Sequence, residues 1–236
     1  MTLIECLTKT ESELFTKFML LAQERNFQTN VSSNKYLFIK GNSNICLVAH
    51  TDTDLEIIPD QIKIEKNLIV GYHEGQRCAI GGDDRVGVYL LYQILICHEC
   101  NVPNMLLVSG EETDDDGCID FINTFTELPN VDVFIDLDAH GCNLYTWYGE
   151  ERTPAMDWIE TFGFVDSEVG YRSTVYLLEN FYDIPAINLS VGYYHNHTPD
   201  EFIDLDAVAL TKNKLKTIIN AGYIQWKGVG NFVENY

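Results

Sequence analysis

The chain has 236 residues, 46% of them hydrophobic and 12% aromatic, which fits one α/β domain with a packed core and excludes a disordered chain. Its 36 acidic against 15 basic residues give a formal net charge of −21, which argues against nucleic acid or an anionic membrane surface as a partner. No apolar run approaches the length of a membrane span, and Glu5, Lys9, Glu11, Glu13 and Lys17 stand where a secretory signal needs an apolar stretch. Seven cysteines, odd in number and irregular in spacing, complete the expectation of a cytoplasmic protein with reduced thiols.

Thr10-Glu11-Ser12-Glu13 has capping-box spacing ahead of Leu14, Phe15, Phe18, Met19, Leu21 and Ala22, which predicts an amphipathic helix over 11–24. Short apolar runs at 36–39 and 45–49, split by Gly41-Asn42-Ser43-Asn44, predict a hairpin. Runs at 62–64 and 68–72 around Lys66-Asn67 predict a second one. Residues 86–96 are almost wholly apolar and of helical length, so a buried helix is expected there. Strands follow at 105–108, 131–137, 144–147 and 186–191, with helices at 119–125, 171–181 and 205–219. Strands alternating with helices favour a mixed, largely parallel sheet between helical layers. With no repeat and no linker-like stretch, residues 1–236 are expected to form a single domain.

Five short acidic or histidine-bearing segments stand out, most of them where an apolar run stops. They are His50-Thr51-Asp52, Gly82-Asp83-Asp84-Arg85, Gly110-Glu111-Glu112, Leu137-Asp138 and His197-Thr198-Pro199-Asp200-Glu201. Any one alone is ordinary surface decoration. In series they supply two histidines and several carboxylates, the ligand set of a two-metal hydrolytic site. In an α/β fold such groups gather at the carboxyl ends of the strands.

Each segment admits a plain reading and a chemical one. His50 ends the 45–49 run, and Asp52 lies on the same side of an extended chain, able to hold the imidazole in place. Asp83 and Asp84 open the 86–96 helix, so one of them can cap it while Asp83 bridges two metal ions. Adjacent Glu111 and Glu112 repel unless a cation divides their duties, with Glu112 on the metal and Glu111 free as general base. Asp114-Asp115-Asp116 reads as a solvated loop. Asp136 and Asp138 share a face of one strand; Asp138, nearer the strand end, is the favoured ligand. His195 and His197 pose the same choice. Cys97-His98-Glu99-Cys100 has no second Cys or His pair at zinc-knuckle spacing. His73, His98 and His140 have no motif around them, and only His140, close to Asp138, is a candidate pocket residue.

The ordered segments resemble those of the co-catalytic zinc exopeptidases, the group holding aminopeptidases, peptidase T, carboxypeptidase G and acetylornithine deacetylase. Members show His-x-Asp, Gly-x-Asp-Asp-(Lys/Arg)-x-Gly, Glu-Glu, a single Asp, and His followed shortly by Glu. This chain matches in order with His50-Thr-Asp52, Gly81-Gly-Asp83-Asp84-Arg85-Val-Gly87, Glu111-Glu112, Asp138 and His197-Thr-Pro-Asp-Glu201, over most of its length from about Tyr36. The resemblance implies a phosphorylase/hydrolase-like α/β domain with two zinc ions, for which cobalt or manganese could substitute. His50, Asp83 and Asp138 would hold one ion, and Asp83, Glu112 and His197 the other. Asp52 would orient His50, Glu111 would act as base for a zinc-bound hydroxide, and the Asp83–Asp84 peptide would be cis.

The resemblance has two departures. The stretch from Asp138 to His197 is too short for the lid or dimerisation domain that deacetylases and carboxypeptidases of this group insert, which implies a bare catalytic domain. Where relatives carry Gly-(Thr/Ser)-Asp before a helix, this chain has Arg172-Ser173-Thr174. The implied substrate is a small peptide or acyl-amino acid. An aminopeptidase needs an acid for the substrate ammonium, with Asp136 or Glu150 available. A carboxypeptidase or deacylase needs a cation for the carboxylate, with Arg172 or Arg152 available. The scarcity of basic residues and the missing lid favour the aminopeptidase. A catalytically inactive metal-binding relative would be expected to have lost a ligand or the base, and none is missing. Oligomeric state is not set by the sequence.

Overall fold

Thr2 and Thr10 each close a capping box with the glutamate three residues on, starting α1 (Leu3–Thr8) and α2 (Glu11–Glu24) in the computed structural model of the chain. The structure describes residues 1–98, 101–148, 151–170 and 172–223; Cys100 of the Cys97-His98-Glu99-Cys100 cluster, Glu150 and Tyr171 lie outside the described residues. After α2 the chain runs through β1 (Gln28–Ser32), β2 (Tyr36–Lys40), β3 (Ile45–His50), β4 (Gln61–Glu65), β5 (Leu68–His73) and β6 (Gln76–Cys78) to α3 (Gly82–Leu95). Then come β7 (Asn104–Val108), α4 (Asp116–Thr124), β8 (Val133–Ala139), β9 (Leu144–Trp147), α5 (Pro154–Glu160) and β10 (Val165–Val169). They are followed by α6 (Thr174–Tyr182), β11 (Ala186–Ser190), β12 (Tyr193–Tyr194), β13 (Phe202–Asp204) and α7 (Leu205–Ala221).

The main sheet has the order β1-β2-β7-β3-β8-β11-β9-β10. Its centre, β7-β3-β8-β11, is parallel, while β1 and β2 on one side and the β11–β9 pair on the other are antiparallel. Alternate residues of the central strands feed two separate cores, as the pleat requires. Leu37, Ile39, Leu47, Met105, Leu107 and Ile135 pack with α1, α2, α3 and α7. Tyr36, Phe38, Cys46, Val48, Leu106 and Phe134 pack with Phe121 of α4 and Val175 and Leu178 of α6. The result is the expected α/β domain, a mixed and largely parallel sheet between helical layers. Between Asp138 and His197 the described residues build β9, α5, β10, α6, β11 and β12, and none of them forms a separate lid. Among the described residues no helix is long and apolar enough to cross a membrane.

A second sheet, β12-β13-β5-β4 with β6 on β5, stands apart from the first. The expected 62–64/68–72 hairpin is its β4–β5 pair, antiparallel with Ile64 opposite Ile69. The other expected hairpin does not form: β7 lies between β2 and β3, antiparallel to the first and parallel to the second. The turn residues bond to β7 and the chain just before it instead of to each other, Gly41 N–H donating to Asn104 Oδ1 (3.2 Å) and Asn42 N–H to the Val102 carbonyl (2.8 Å). A strand buried on both faces needs a neighbour on each side, and that neighbour comes from 58 residues away in sequence, as in Cys46 opposite Asn104. Helix α6 starts at Thr174, three residues later than expected, because the Ser173 hydroxyl caps it by accepting from Val175 N–H.

Glu179 on α6 accepts a hydrogen bond from Ala186 N–H at the start of β11 (3.2 Å), and burial pushes its carboxyl up to about 7. A carboxyl raised above its unfolded value adds stability at low pH that is lost as pH rises through the folded value. Glu179→Gln, neutral throughout, is therefore expected to shrink the fall in melting temperature between pH 5 and pH 8; an unchanged pH dependence in paired thermal melts contradicts this.

Candidate metal centre

Because β7, β3 and β8 are parallel neighbours, their carboxyl ends deliver three of the five segments to one edge of the sheet. His50 is the last residue of β3, Glu111 and Glu112 occupy the turn after β7, and Asp138 sits near the end of β8. Asp83 enters from the turn that opens α3, with non-helical backbone at both Asp83 and Asp84 and a cis peptide between them. His197 arrives from the connection between β12 and β13.

Asp83 is where these elements meet. Its Oδ1 lies 3.1 Å from His50 Nε2 and its Oδ2 lies 3.1 Å from His197 Nε2, so each carboxylate oxygen faces one histidine. Asp138 Oδ1 is 3.4 Å from His50 Nε2, and Glu112 Oε1 is 3.8 Å from His197 Nε2. Three triples, His50/Asp84/Asp138, His50/Asp83/Glu112 and Asp54/Glu112/His197, each bring ligand-type atoms within 4.8 Å of one another. All five residues expected as ligands thus converge on one small volume, together with Asp52 and Glu111.

Asp52 joins two of the segments. It lies 3.4 Å from His50 Nδ1 and accepts hydrogen bonds from the backbone N–H of Glu111 (3.3 Å) and Glu112 (3.0 Å). Burial would raise its carboxyl, but His50 and the Glu112 N–H hold it below the usual range. Asp84 hydrogen-bonds to backbone amides. Its Oδ1 accepts from Gly87 N–H and its Oδ2 from His50 N–H, so it caps the helix and ties it to β3. Gly87 makes this possible: a Cβ there would stand 2.3 Å from both Asp84 Oδ1 and the Leu137 carbonyl.

The electrostatics of the cluster call for a cation. Burial first, then the Asp83 charge, pushes Asp138 well above the carboxylate range, and burial and Asp138 do the same to Asp84. Glu112 is raised by burial and Asp83, and its Oε1 is buried without a hydrogen-bond partner. His50 is held well above the ordinary histidine value, the contacts to Asp138, Asp52 and Asp83 outweighing burial. His197 is raised to about 10, chiefly by Asp83. Among the described residues, His50 and His197 are the histidines in contact with these carboxylates. Hard oxygen and imidazole donors, with one buried carboxylate oxygen left unbonded, fit divalent ions such as zinc, manganese or cobalt.

Several residues of the site carry little or no signal in the sequence. Asn196 donates to Asp83 Oδ2 (2.7 Å), and Asp54 Oδ2 lies 3.2 Å from His197 Nδ1, mirroring Asp52 at His50. Their only sequence signal is adjacency, one residue before His197 and two after Asp52. Asn188 and Tyr193 hold Asp138: Asn188 Oδ1 accepts from Asp138 N–H, and the Tyr193 hydroxyl donates to its carbonyl and Oδ1. Nothing in the sequence marks those two.

Other expectations change with the fold. Asp136 is buried, accepting from the Ser173 hydroxyl, and is not among the residues lining the cavity over the cluster, so it is not placed to receive a substrate ammonium there. Asp115 is not a solvated loop residue: it is buried, and Arg172 donates to its Oδ2 and to the Thr113 carbonyl. Arg152 pairs with Asp157 and Glu160. A cavity of about 280 Å³ opens over the cluster, lined by Glu111, Tyr148, Arg172, Tyr193 and His140 along with four of the expected ligands, Asp83, Glu112, Asp138 and His197.

No family model and no curated protein matches the chain. Solved structures do. The chain superposes on aminopeptidase PepT from Bacillus cereus with a TM-score of 0.62 at 13% identity, over 89% of this chain and 98% of that one. A tripeptidase from Staphylococcus aureus gives 0.66 at 12% identity, over 90% and 98% of the two chains. An aminopeptidase from the archaeon Desulfurococcus kamchatkensis gives 0.65 at 12% identity, over 93% and 94%. The fold implied by the resemblance of the motifs to the co-catalytic exopeptidases is the fold the chain has.

Asp52→Ala removes the partner of His50 Nδ1 and the shared acceptor of the 111–112 amides at one stroke. Zinc affinity measured by calorimetric titration is expected to fall about 10- to 100-fold. Wild-type affinity in the variant contradicts the role given to Asp52.

Proposed function

We propose that this chain is a metal-dependent aminopeptidase that removes residues from the free amino end of short peptides, with zinc as the expected metal. One observation carries the reading: the two oxygens of Asp83 face two different histidines at equal distance. In this reading His50, Asp83 and Asp138 hold one ion, and Asp83, Glu112 and His197 hold the other. Divalent ions at such a site acidify water and polarise the carbonyl to be attacked.

Glu111 lines the cavity, and burial pushes its carboxyl up to about 7, close to where a general base working at neutral pH should lie. It takes a proton from the attacking water and returns it to the departing amine. Asp52 keeps Glu111 and Glu112 in step with His50 by bonding both backbone amides. Asn196 and Tyr193 hold Asp83 and Asp138 from the cavity side.

The choice of the amino end rests on charge. With Asp83, Glu112 and Asp138 taken up by metal in this reading, Glu111 is the remaining acid of the cavity wall, and Arg172, the arginine that lines it, is already bound to Asp115 and to the Thr113 carbonyl. A substrate carboxylate therefore meets no uncommitted guanidinium there, which favours the free amino end. Hydrolysis of peptides and amides blocked at either end, by protein stripped of metal and reloaded with zinc, cobalt or manganese, tests this. Cleavage that acetylation of the amino end abolishes is the expected result. Cleavage that instead requires a free carboxylate makes the enzyme a carboxypeptidase or deacylase, and no cleavage with bound metal makes it a binding protein. Glu111→Gln is expected to keep its metal content and lose turnover by about 10²- to 10⁴-fold; undiminished hydrolysis refutes the base assignment.

A further inference from the structure

Glu201 closes the His197-Thr198-Pro199-Asp200-Glu201 segment, yet it is no ligand in the set above. Its side chain is buried, with 1% of the residue exposed. The carboxylate accepts from four consecutive backbone N–H groups. Oε2 takes those of Ile80 (2.7 Å) and Gly81 (3.0 Å), and Oε1 takes those of Gly82 (2.7 Å) and Asp83 (3.4 Å). These four amides form the turn that delivers Asp83 to the histidines. Burying a carboxylate is costly unless such donors compensate it, so the grip is specific to that turn.

The rest of the neighbourhood is shaped to the same contact. A Cβ on Gly82 would lie 2.8 Å from Tyr193 Cβ and 3.0 Å from Glu201 Oε1, so glycine there lets the carboxylate close on the backbone. Glu201 is itself anchored from behind, since β13 begins at the next residue and pairs with β5, Phe202 opposite Val70. Arg77 adds a hydrogen bond to the Glu201 carbonyl (3.2 Å). One five-residue segment therefore presents His197 to Asp83 Oδ2 and grips the backbone of Asp83 itself.

We propose that Glu201 is a positioning residue: by fixing the 80–83 turn it sets the Asp83 carboxylate between His50 and His197, and so governs how tightly divalent cations are held. This rests on the two-metal reading of the site. Glu201→Gln keeps the side chain's size but points an amide donor at two backbone donors, so one pair of the four bonds is lost.

The test is a cobalt titration of metal-stripped protein followed by visible absorption, with far-UV circular dichroism on the same samples. Glu201→Gln is expected to bind cobalt about 10-fold or more weakly, with altered absorption bands and an unchanged dichroism spectrum. Leu215→Ala, a cavity in the core at α7, is expected to lower the melting temperature and leave cobalt affinity alone. If it weakens cobalt binding as much, the effect is one of general stability and the positioning role is refuted. Should Glu201→Gln fail to fold, Gly82→Ala keeps the carboxylate while forcing the turn away from it, and the same loss is expected. Wild-type cobalt affinity and bands in the foldable variant overturn the proposal and leave the two-metal reading standing. A wild-type protein that takes up no cobalt overturns that reading, and the proposal with it.

Discussion

The site depends on a concentration of buried negative charge around two histidines, with Asp83 shared between them. Carboxylates removed from water repel one another and lose hydration, and each of Asp138, Asp84, Glu111 and Glu112 responds by holding its proton more tightly than usual. Asp83 goes the other way, held well below the carboxylate range by His197 and His50 despite its burial, and Asp52 is lowered beside His50 as well. Of the two, Asp83 is the one with a histidine on each oxygen. A multivalent cation is the simplest agent that relieves the remaining repulsion.

The scaffold is arranged to hold that arrangement still. The main sheet supplies His50, Glu111, Glu112 and Asp138 from parallel neighbours, where a shared register fixes how far apart the strand ends can be. The smaller sheet supplies the rest: β5 and β13 pair, and that pairing sets the height of the segment carrying His197 and Glu201. Asp84 and Gly87 close the gap by seating α3 against β3 and β8. Three of the proposed ligands are thus backed by a second contact, Asp52 behind His50, Asp54 behind His197, Asn188 and Tyr193 behind Asp138.

Much of this was legible before the fold was known, because metal ligands must be particular residue types and strand ends are visible as stops in apolar runs. Those signals marked the segments; the resemblance of their order to the co-catalytic exopeptidases implied His50, Asp83, Glu112, Asp138 and His197 as the ligand set, and the fold brings those five side chains together. The hairpin expected around Gly41 to Asn44 shows where such reading fails. A turn-like composition is local information, whereas the partner of a buried strand is chosen by burial on both faces, and β7 won that place. Asp115 and Asp136 fail in the same way, since their burial depends on Arg172 and Ser173, distant in sequence.

The amino-acid sequence by itself determined the chemistry available to this protein: hard and imidazole donors in a fixed order, an acidic surface, and alternating strands and helices. Those follow from residue type and from the two backbone periodicities, which act over a few positions. Tertiary structure alone decided which carboxylates serve the cluster and which are spent elsewhere, that Arg172 is occupied, and that Glu201 grips the turn bearing Asp83. Such choices rest on contacts between residues far apart in sequence, from 37 positions for Ser173 and Asp136 to 121 for Glu201 and Ile80, and only the closed sheets bring those within hydrogen-bonding distance.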